Sequence, residues 1–243
     1  MAGGLGRLVG DGVAGGHRTL ADRAFAALHD AIVAGHLAPG ERLPIEELGL
    51  ALGMSAMPIR EALRRLDAAG LVENIPHRGA RVTELSIADL AEVYEARLAL
   101  EPLAVSRAAE RFSDEQAAAA TALLATLNRL ADDNSAETWA AHTAFHFALY
   151  DAAASIWLGR LIRPLWETSQ RYRLAVRVVR KLDARRAEHD AILQACIDHD
   201  PALAAVSLHN HLITTANVVA VAMGGEPLFV RLEHEHEETT LRR

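Results

Sequence analysis

The sequence predicts a mainly α protein: an N-terminal winged helix-turn-helix with a small β-hairpin, followed by a C-terminal antiparallel helical bundle. Three observations carry that reading. Apolar residues recur at helical spacing along most of the chain, and strand-type residues gather around one turn only, in "LVENIPHRGARVTEL". Aromatics make up 5% of residues within an apolar share of 51%, a composition suited to helices packed closely through alanine rather than to a sandwich of sheets. At 243 residues the chain has room for one small and one larger domain.

The first 18 residues are Gly-rich and carry Asp11, without the basic start and unbroken apolar run of a secretion signal, so they read as a leader. In "TLADRAFAALHDAIVAGHLAPGERL", Leu20, Ala24, Ala27, Leu28 and Ile32 mark a helix stopped by the turn residues "GHLAPG". A short second helix fits Ile45 to about Leu52. Gly53 and Ser55 then supply a turn and an N-cap for a third helix in "AMPIREALRRLDAAG", with Pro58 in its first turn. The hairpin follows, its strands carrying Val72, Ile75, Val82 and Thr83 on either side of "PHRG". Residues 19–84 are thus expected to form a winged helix.

From Ser86 onward the strand signal disappears. Ser86 with Asp89 and Ser113 with Gln116 have capping-pair spacing, and Asp200 before Pro201 is a cap followed by proline at the first helical position. Helices are expected near 87–110, 114–132, 136–153, 157–178, 181–198 and 201–223, making a bundle over 86–224. A charged tail occupies 225–243.

Charge and cysteine content narrow the setting. Net charge is −7, and residues 17–85 hold eight Arg against nine Asp and Glu, so any affinity for nucleic acid rests on local placement rather than on total charge. Cys196 is the sole cysteine, which excludes an internal disulfide and fits a reducing, cytoplasmic setting. The run "LITTANVVAVAM" is too short to span a membrane.

In the third helix Ile59, Leu63 and Leu66 form a stripe to be buried, while Arg60 and Arg64 project together from another side where a phosphate backbone would lie. Arg78 sits at the hairpin tip between His77 and Gly79, where a wing enters the minor groove. On an isolated helix such arginines would be ordinary solvated charges.

The stretches "GHLAPGERL", "ELGLALGMSAMPIREALRRLDAAGLVE" and "PHRGARV", across residues 20–84, resemble the winged-helix domain of the GntR family of bacterial transcription regulators. The resemblance implies double-stranded DNA as partner, a palindromic operator and a homodimer, with Ser55, Met57, Arg60, Arg64, His77, Arg78 and Gly79 at the DNA. This chain departs from the family at Ala56, where members usually carry an arginine that reads guanine, and at Glu46, where some carry a second one. Fewer base-specific contacts and an unusual operator follow.

The downstream stretches "SIADLAEVYEARLALEPLAVSRAAERF" and "AEHDAILQACIDHDPALAAVSLHNHL" resemble, more loosely, the all-helical effector domain of the FadR subgroup of that family. Many such domains hold a divalent metal with an aspartate and a histidine four residues apart, then two more histidines. The matching positions here are His142, in place of the aspartate, His146, His189 and His211. The resemblance also implies that Arg97 lines a pocket for a small carboxylate effector, with Arg171 and Arg173 as further candidates and Glu101 as a partner for Arg97.

Apart from any family, His142 and His146 share one helix face one turn apart, and His189 and His211 lie on the next two long helices in apolar surroundings, so antiparallel packing can bring all four inward. Imidazole donors suit zinc, nickel, cobalt or copper, with zinc or nickel favoured. Four hydrogen-bonded core histidines are the alternative, and His199 and His209 are placed on the surface. A metal-dependent enzyme is the rival function, but no H-E-x-x-H, paired E-x-x-H or G-x-S-x-G motif occurs, and the single lysine, Lys181, lies outside any Gly-rich loop.

Overall fold

The computed structural model describes residues 19–75, 78–130, 135–176 and 182–232. The leader, His77, Lys181 and the end of the charged tail from residue 233 lie outside the described residues. The described chain runs α1 (Leu20–Val33), β1 (Arg42–Leu43), α2 (Ile45–Leu52), α3 (Ala56–Ala68), β2 (Val72–Ile75), β3 (Gly79–Val82), then α4 (Ile87–Ala109), α5 (Asp114–Arg129), α6 (Ala136–Ala152), α7 (Ile156–Ala175), α8 (Leu182–Ile197) and α9 (Pro201–Ala222).

The head is a mainly helical unit with a small antiparallel sheet. Thr19 opens α1 with a capping box: its hydroxyl accepts from the Asp22 amide, and the Asp22 carboxylate accepts from the Thr19 amide. Leu28, Ile32, Leu48, Ile59, Leu63, Leu66 and Val82 close a core between the helices and the sheet. Truncating one of the fully buried leucines to alanine would cost about 2–5 kcal/mol. Between α2 and α3 the turn is tight: a side chain at Gly49 would meet the Met54 carbonyl oxygen at 2.8 Å, and Gly53 holds φ of +63°.

The sheet has one strand more than the sequence indicates. Arg42 and Leu43 pair antiparallel with Arg81 and Ala80, so the strand order is β1-β3-β2 with β3 in the middle. Two residues carry no alternation from which a strand could be read. The hairpin itself pairs Val72 with Val82 and Ile75 with Gly79.

The described residues fall into two compact units. One comprises the chain up to Asp89 together with Trp166–Val176, and the other Leu90–Leu165 with the chain from α8 onward. The later part of α7 thus packs as part of the head's unit. There the Arg171 guanidinium donates to the Thr83 carbonyl at 2.8 Å, the Tyr172 hydroxyl donates to Asp89, and the Ser86 amide donates to the Tyr172 oxygen at 3.4 Å.

In the bundle the capping pairs stand where the sequence places them. Ser113 and Gln116 form a capping box, and the Asp200 carboxylate accepts from the Leu203 amide ahead of Pro201. After α9 an extended segment is held by two asparagines two turns apart on that helix. Asn217 bonds the backbone of Leu228 and Phe229, and Asn210 that of Leu232, each through both its amide nitrogen and its oxygen. No helix of the described residues is long and apolar enough to cross a membrane.

Candidate metal centre and nucleic-acid interface

Helix α3 turns two faces to different solvents. Ile59, Ala62, Leu63 and Leu66 are buried, whereas Met57 is 71% exposed and Arg60 and Arg64 are exposed on the same side, at positions i, i+3 and i+7. The Arg64 guanidinium pairs with Glu61 one turn back, which leaves Arg60 the less encumbered of the two. Ser55 stands at the N-cap with extended backbone, but its hydroxyl makes no capping bond among the described residues, contrary to its expected role, and it is exposed. Arg78 and Gly79 are exposed at the hairpin turn, where the Arg78 amide donates to the Ile75 carbonyl and Gly79 takes φ of +82°.

The two remaining head arginines near this surface serve the fold. Arg65 bonds Asp22 at 2.8 Å and covers the Phe25 ring, while Arg81 pairs with Glu73 across the hairpin.

The other site lies inside the second unit. His142 and His146 on α6, His189 on α8 and His211 on α9 are all buried, and one ring nitrogen from each lies within 4.8 Å of the others. The Nε2 atoms of His146 and His189 are 3.3 Å apart. Two imidazole nitrogens about 2.1 Å from one ion at a tetrahedral angle would stand roughly 3.4 Å apart, so this pair already has the spacing of shared ligands. Among the described residues this is the one group of histidine, cysteine and carboxylate side chains gathered closely enough to hold an ion. His199 and His209 do not join it: His199 donates through Nδ1 to the Ala109 carbonyl at 2.9 Å, and His209 is half-buried rather than on the surface.

On His146 and His211 the ring nitrogen turned away from the centre is hydrogen-bonded. His146 Nδ1 lies 3.2 Å from the Tyr150 hydroxyl, which itself donates to the Glu101 carboxylate at 2.6 Å. That hydroxyl has one proton and spends it on Glu101, so it can only accept from His146, whose Nε2 is then the bare nitrogen. Burial, and then the Glu101 charge, push the Tyr150 hydroxyl well above its ordinary pKa, which keeps that proton in place. His211 Nδ1 donates to Glu188 at 2.8 Å, leaving its own Nε2 bare.

Of the three arginines expected at an effector, Arg97 alone belongs to this unit. It is 3% exposed and grips the fully buried Glu101 with two bonds, at 2.6 and 3.1 Å. Burial opposes its charge, but Glu101 outweighs that and raises its pKa. Arg171 and Arg173 fall in the head's unit, where the Arg171 guanidinium donates to the Thr83 carbonyl. Tyr150 and Glu188 stand at the centre without being among the residues that the sequence motifs single out. The four-residue step from His146 to Tyr150 is visible in the sequence, whereas the reach of Glu188 to another helix is not.

Comparison with known proteins places both halves. Residues 20–82 match the family described as bacterial regulatory proteins, gntR family, and residues 92–214 match the FCD domain. The chain is 29% identical over 208 residues to the HTH-type transcriptional repressor GlaR of Escherichia coli (strain K12), covering 82% of this chain and 94% of that protein. It is 30% identical to the HTH-type transcriptional regulator BphR of Paraburkholderia xenovorans (strain LB400), over 83% of this chain and 86% of the relative. Among solved structures, E. coli McbR/YncC superposes with a TM-score of 0.70 at 23% identity, covering 86% of this chain and 99% of its own.

Proposed function

This chain belongs to the GntR family of bacterial regulatory proteins and carries an FCD domain behind its DNA-binding head, and from that premise we propose that a small carboxylate bound at a metal in the bundle controls its grip on an operator. It is a transcription regulator and not an enzyme, as its relatives are. The observation that supports the finer reading is the convergence of four buried histidines from three helices of the FCD domain. A soluble core gains little from burying four imidazoles together, since each has two polar nitrogens to satisfy.

The donor set fits a divalent ion of the zinc, nickel, cobalt or copper kind, with zinc or nickel favoured. His142, His146, His189 and His211 would hold it, and such an ion supplies open coordination positions to an oxygen ligand. A carboxylate takes one of these, and Arg97, tied to His146 through Glu101 and Tyr150, receives a second charge of the effector in exchange with Glu101. As the resemblance to the FadR subgroup implies, two copies would set their heads on a palindromic site in the cytoplasm.

At the DNA, Ser55, Met57, Arg60, Arg64, His77, Arg78 and Gly79 are the residues we assign, with Arg60 and Arg64 on phosphates and Met57 against thymine methyls, beside Ala56 and Glu46, where the family resemblance implies arginine. The test is a gel shift of the purified protein on its own promoter region, with and without bound zinc, across a panel of mono- and dicarboxylates. Specific retardation that one carboxylate changes only in the zinc-loaded protein supports the reading. Retardation indifferent to both zinc and carboxylates sinks it.

A further inference from the structure

The histidine centre has no carboxylate of its own, yet Glu188 stands one hydrogen bond behind it and Glu101 two. A divalent ion among four neutral imidazoles keeps its full charge in a buried place, where uncompensated charge is costly. With histidine at position 142, a compensating negative charge has to come from the shell outside the donors. Two carboxylates are hydrogen-bonded to the donors, Glu188 directly on His211 and Glu101, through the Tyr150 hydroxyl, on His146. They are placed differently. Glu101 is held by Arg97 with two bonds, so most of its charge is spent before it reaches the centre. The Glu188 side chain is 17% exposed and makes its 2.8 Å bond straight to a donor ring.

We infer that Glu188 is the outer carboxylate that makes the four-histidine centre a strong metal site, and that Tyr150 on Glu101 positions His146 to bind through Nε2. This rests on the metal reading above and names the residues on which its affinity depends. The local structure suits the task. Glu188 and His189 are consecutive on α8, so their side chains leave the helix about 100° apart. His189 therefore turns to the centre while Glu188 reaches the far edge of the His211 ring on α9. A hydrogen bond from Nδ1 to a carboxylate shifts electron density toward Nε2 and fixes ring orientation, and loss of such a partner costs about 10–100-fold in metal affinity.

The two partners differ in weight. Tyr150 is a neutral acceptor that fixes which nitrogen of His146 carries the proton, so its loss leaves two forms of the ring in exchange and weakens binding by less than the loss of a direct carboxylate. Glu188→Gln keeps size and a hydrogen-bonding group but removes the charge, and Glu188→Asp keeps the charge on a shorter arm.

The experiment measures zinc affinity of the full chain by competition with a chromogenic chelator, and the cobalt visible spectrum, in the parent, Glu188→Gln, Glu188→Asp, Tyr150→Phe and His146→Ala. Long-range proton–nitrogen NMR of the metal-free protein reads the histidine tautomers directly. The expected result is a 10–100-fold weaker Glu188→Gln at unchanged stoichiometry, partial recovery in Glu188→Asp, and a smaller loss in Tyr150→Phe with the His146 tautomer no longer single. Equal circular dichroism in all metal-free variants separates positioning from unfolding. A parent that binds zinc while Glu188→Gln binds it equally well overturns this inference and leaves the metal reading standing. A parent that takes up no zinc, nickel or cobalt overturns both.

Discussion

The Nε2 atoms of His146 and His189 stand 3.3 Å apart although the residues lie on different helices, α6 and α8. Because His146 Nδ1–H donates to the Tyr150 oxygen, whose own proton goes to Glu101, the contact between the neutral rings in the metal-free protein is a hydrogen bond from His189 Nε2–H to His146 Nε2. In the proposed metal-bound state an ion would replace that proton and tie α6, α8 and α9 together. Zinc at 1,000 times its dissociation constant should stabilise the bundle by about 4 kcal/mol, provided the unfolded chain binds it far less well. In a melt this is a rise on the order of 10 °C, reversed by a chelator. His189→Ala should show neither the rise nor the reversal.

Arg60 and Arg64 differ in what the structure leaves them. The Arg64 guanidinium leans on Glu61, whereas Arg60 is exposed on the Met57 side of the recognition helix. Arg60→Ala is expected to weaken binding to specific and random DNA alike and to lower the salt slope of log K by about 1. Met57→Ala should leave the slope alone and lower discrimination among sequences. Fluorescence anisotropy titrations at several salt concentrations distinguish the two.

His29 carries a pH dependence whose sign can be stated. Its ring stacks on Phe25 and bonds Asp30 and Glu167, each at 3.1 Å, and these two, Asp30 first, raise its pKa to about 9 against the opposing effect of burial. Asp30 is largely in water and its pull is screened, so the better-shielded Glu167 is the partner that counts for stability. A raised folded pKa means that the contribution is fully present below about pH 6.5 and is lost as pH climbs through about 9. Denaturant midpoints should fall from pH 6 to pH 10 in the parent, and the fall should flatten in Glu167→Gln.

Asn217 holds the segment after α9 through three backbone bonds. Asn217→Ala leaves those groups to water and should free residues 224–232 at a cost of about 1–3 kcal/mol to that segment. Hydrogen exchange would show the Leu228 and Phe229 amides losing protection while those of α5 and α6 keep theirs. Unchanged protection at Leu228 would count against this reading of the asparagine.

Helix positions proved legible because each depends on its own neighbours. Helical period, Ser113 with Gln116 and Asp200 with Pro201 all act within one turn, and the observed bundle boundaries lie within one residue of those expected, except the ends of α5 and α7, which come three residues early. Four histidines were legible as a group for the same reason at one end, the His142 and His146 step, and through resemblance at the other. What escaped depends on contact between segments far apart in the chain. Arg42 and Leu43 become a strand only because β3 is there to pair with them. The guanidinium of Arg171 looks available in sequence and is taken by a carbonyl 88 residues away. Glu188 reads as an ordinary charged position on α8 until α9 is packed beside it.

The place of Trp166–Val176 in the head's compact unit bears on how this architecture can be recombined. A chimaera that joins the head to a different sensor near residue 85 would keep every recognition residue yet discard the helical strut on which Thr83, Ser86 and Asp89 rest. Such a graft would read DNA with a wing whose root is loose. Exchanging the sensor while retaining Arg171 and Tyr172 in a transplanted α7 is the cut that respects the packing. Modules that look separable in linear order are, in this protein, interleaved by one helix.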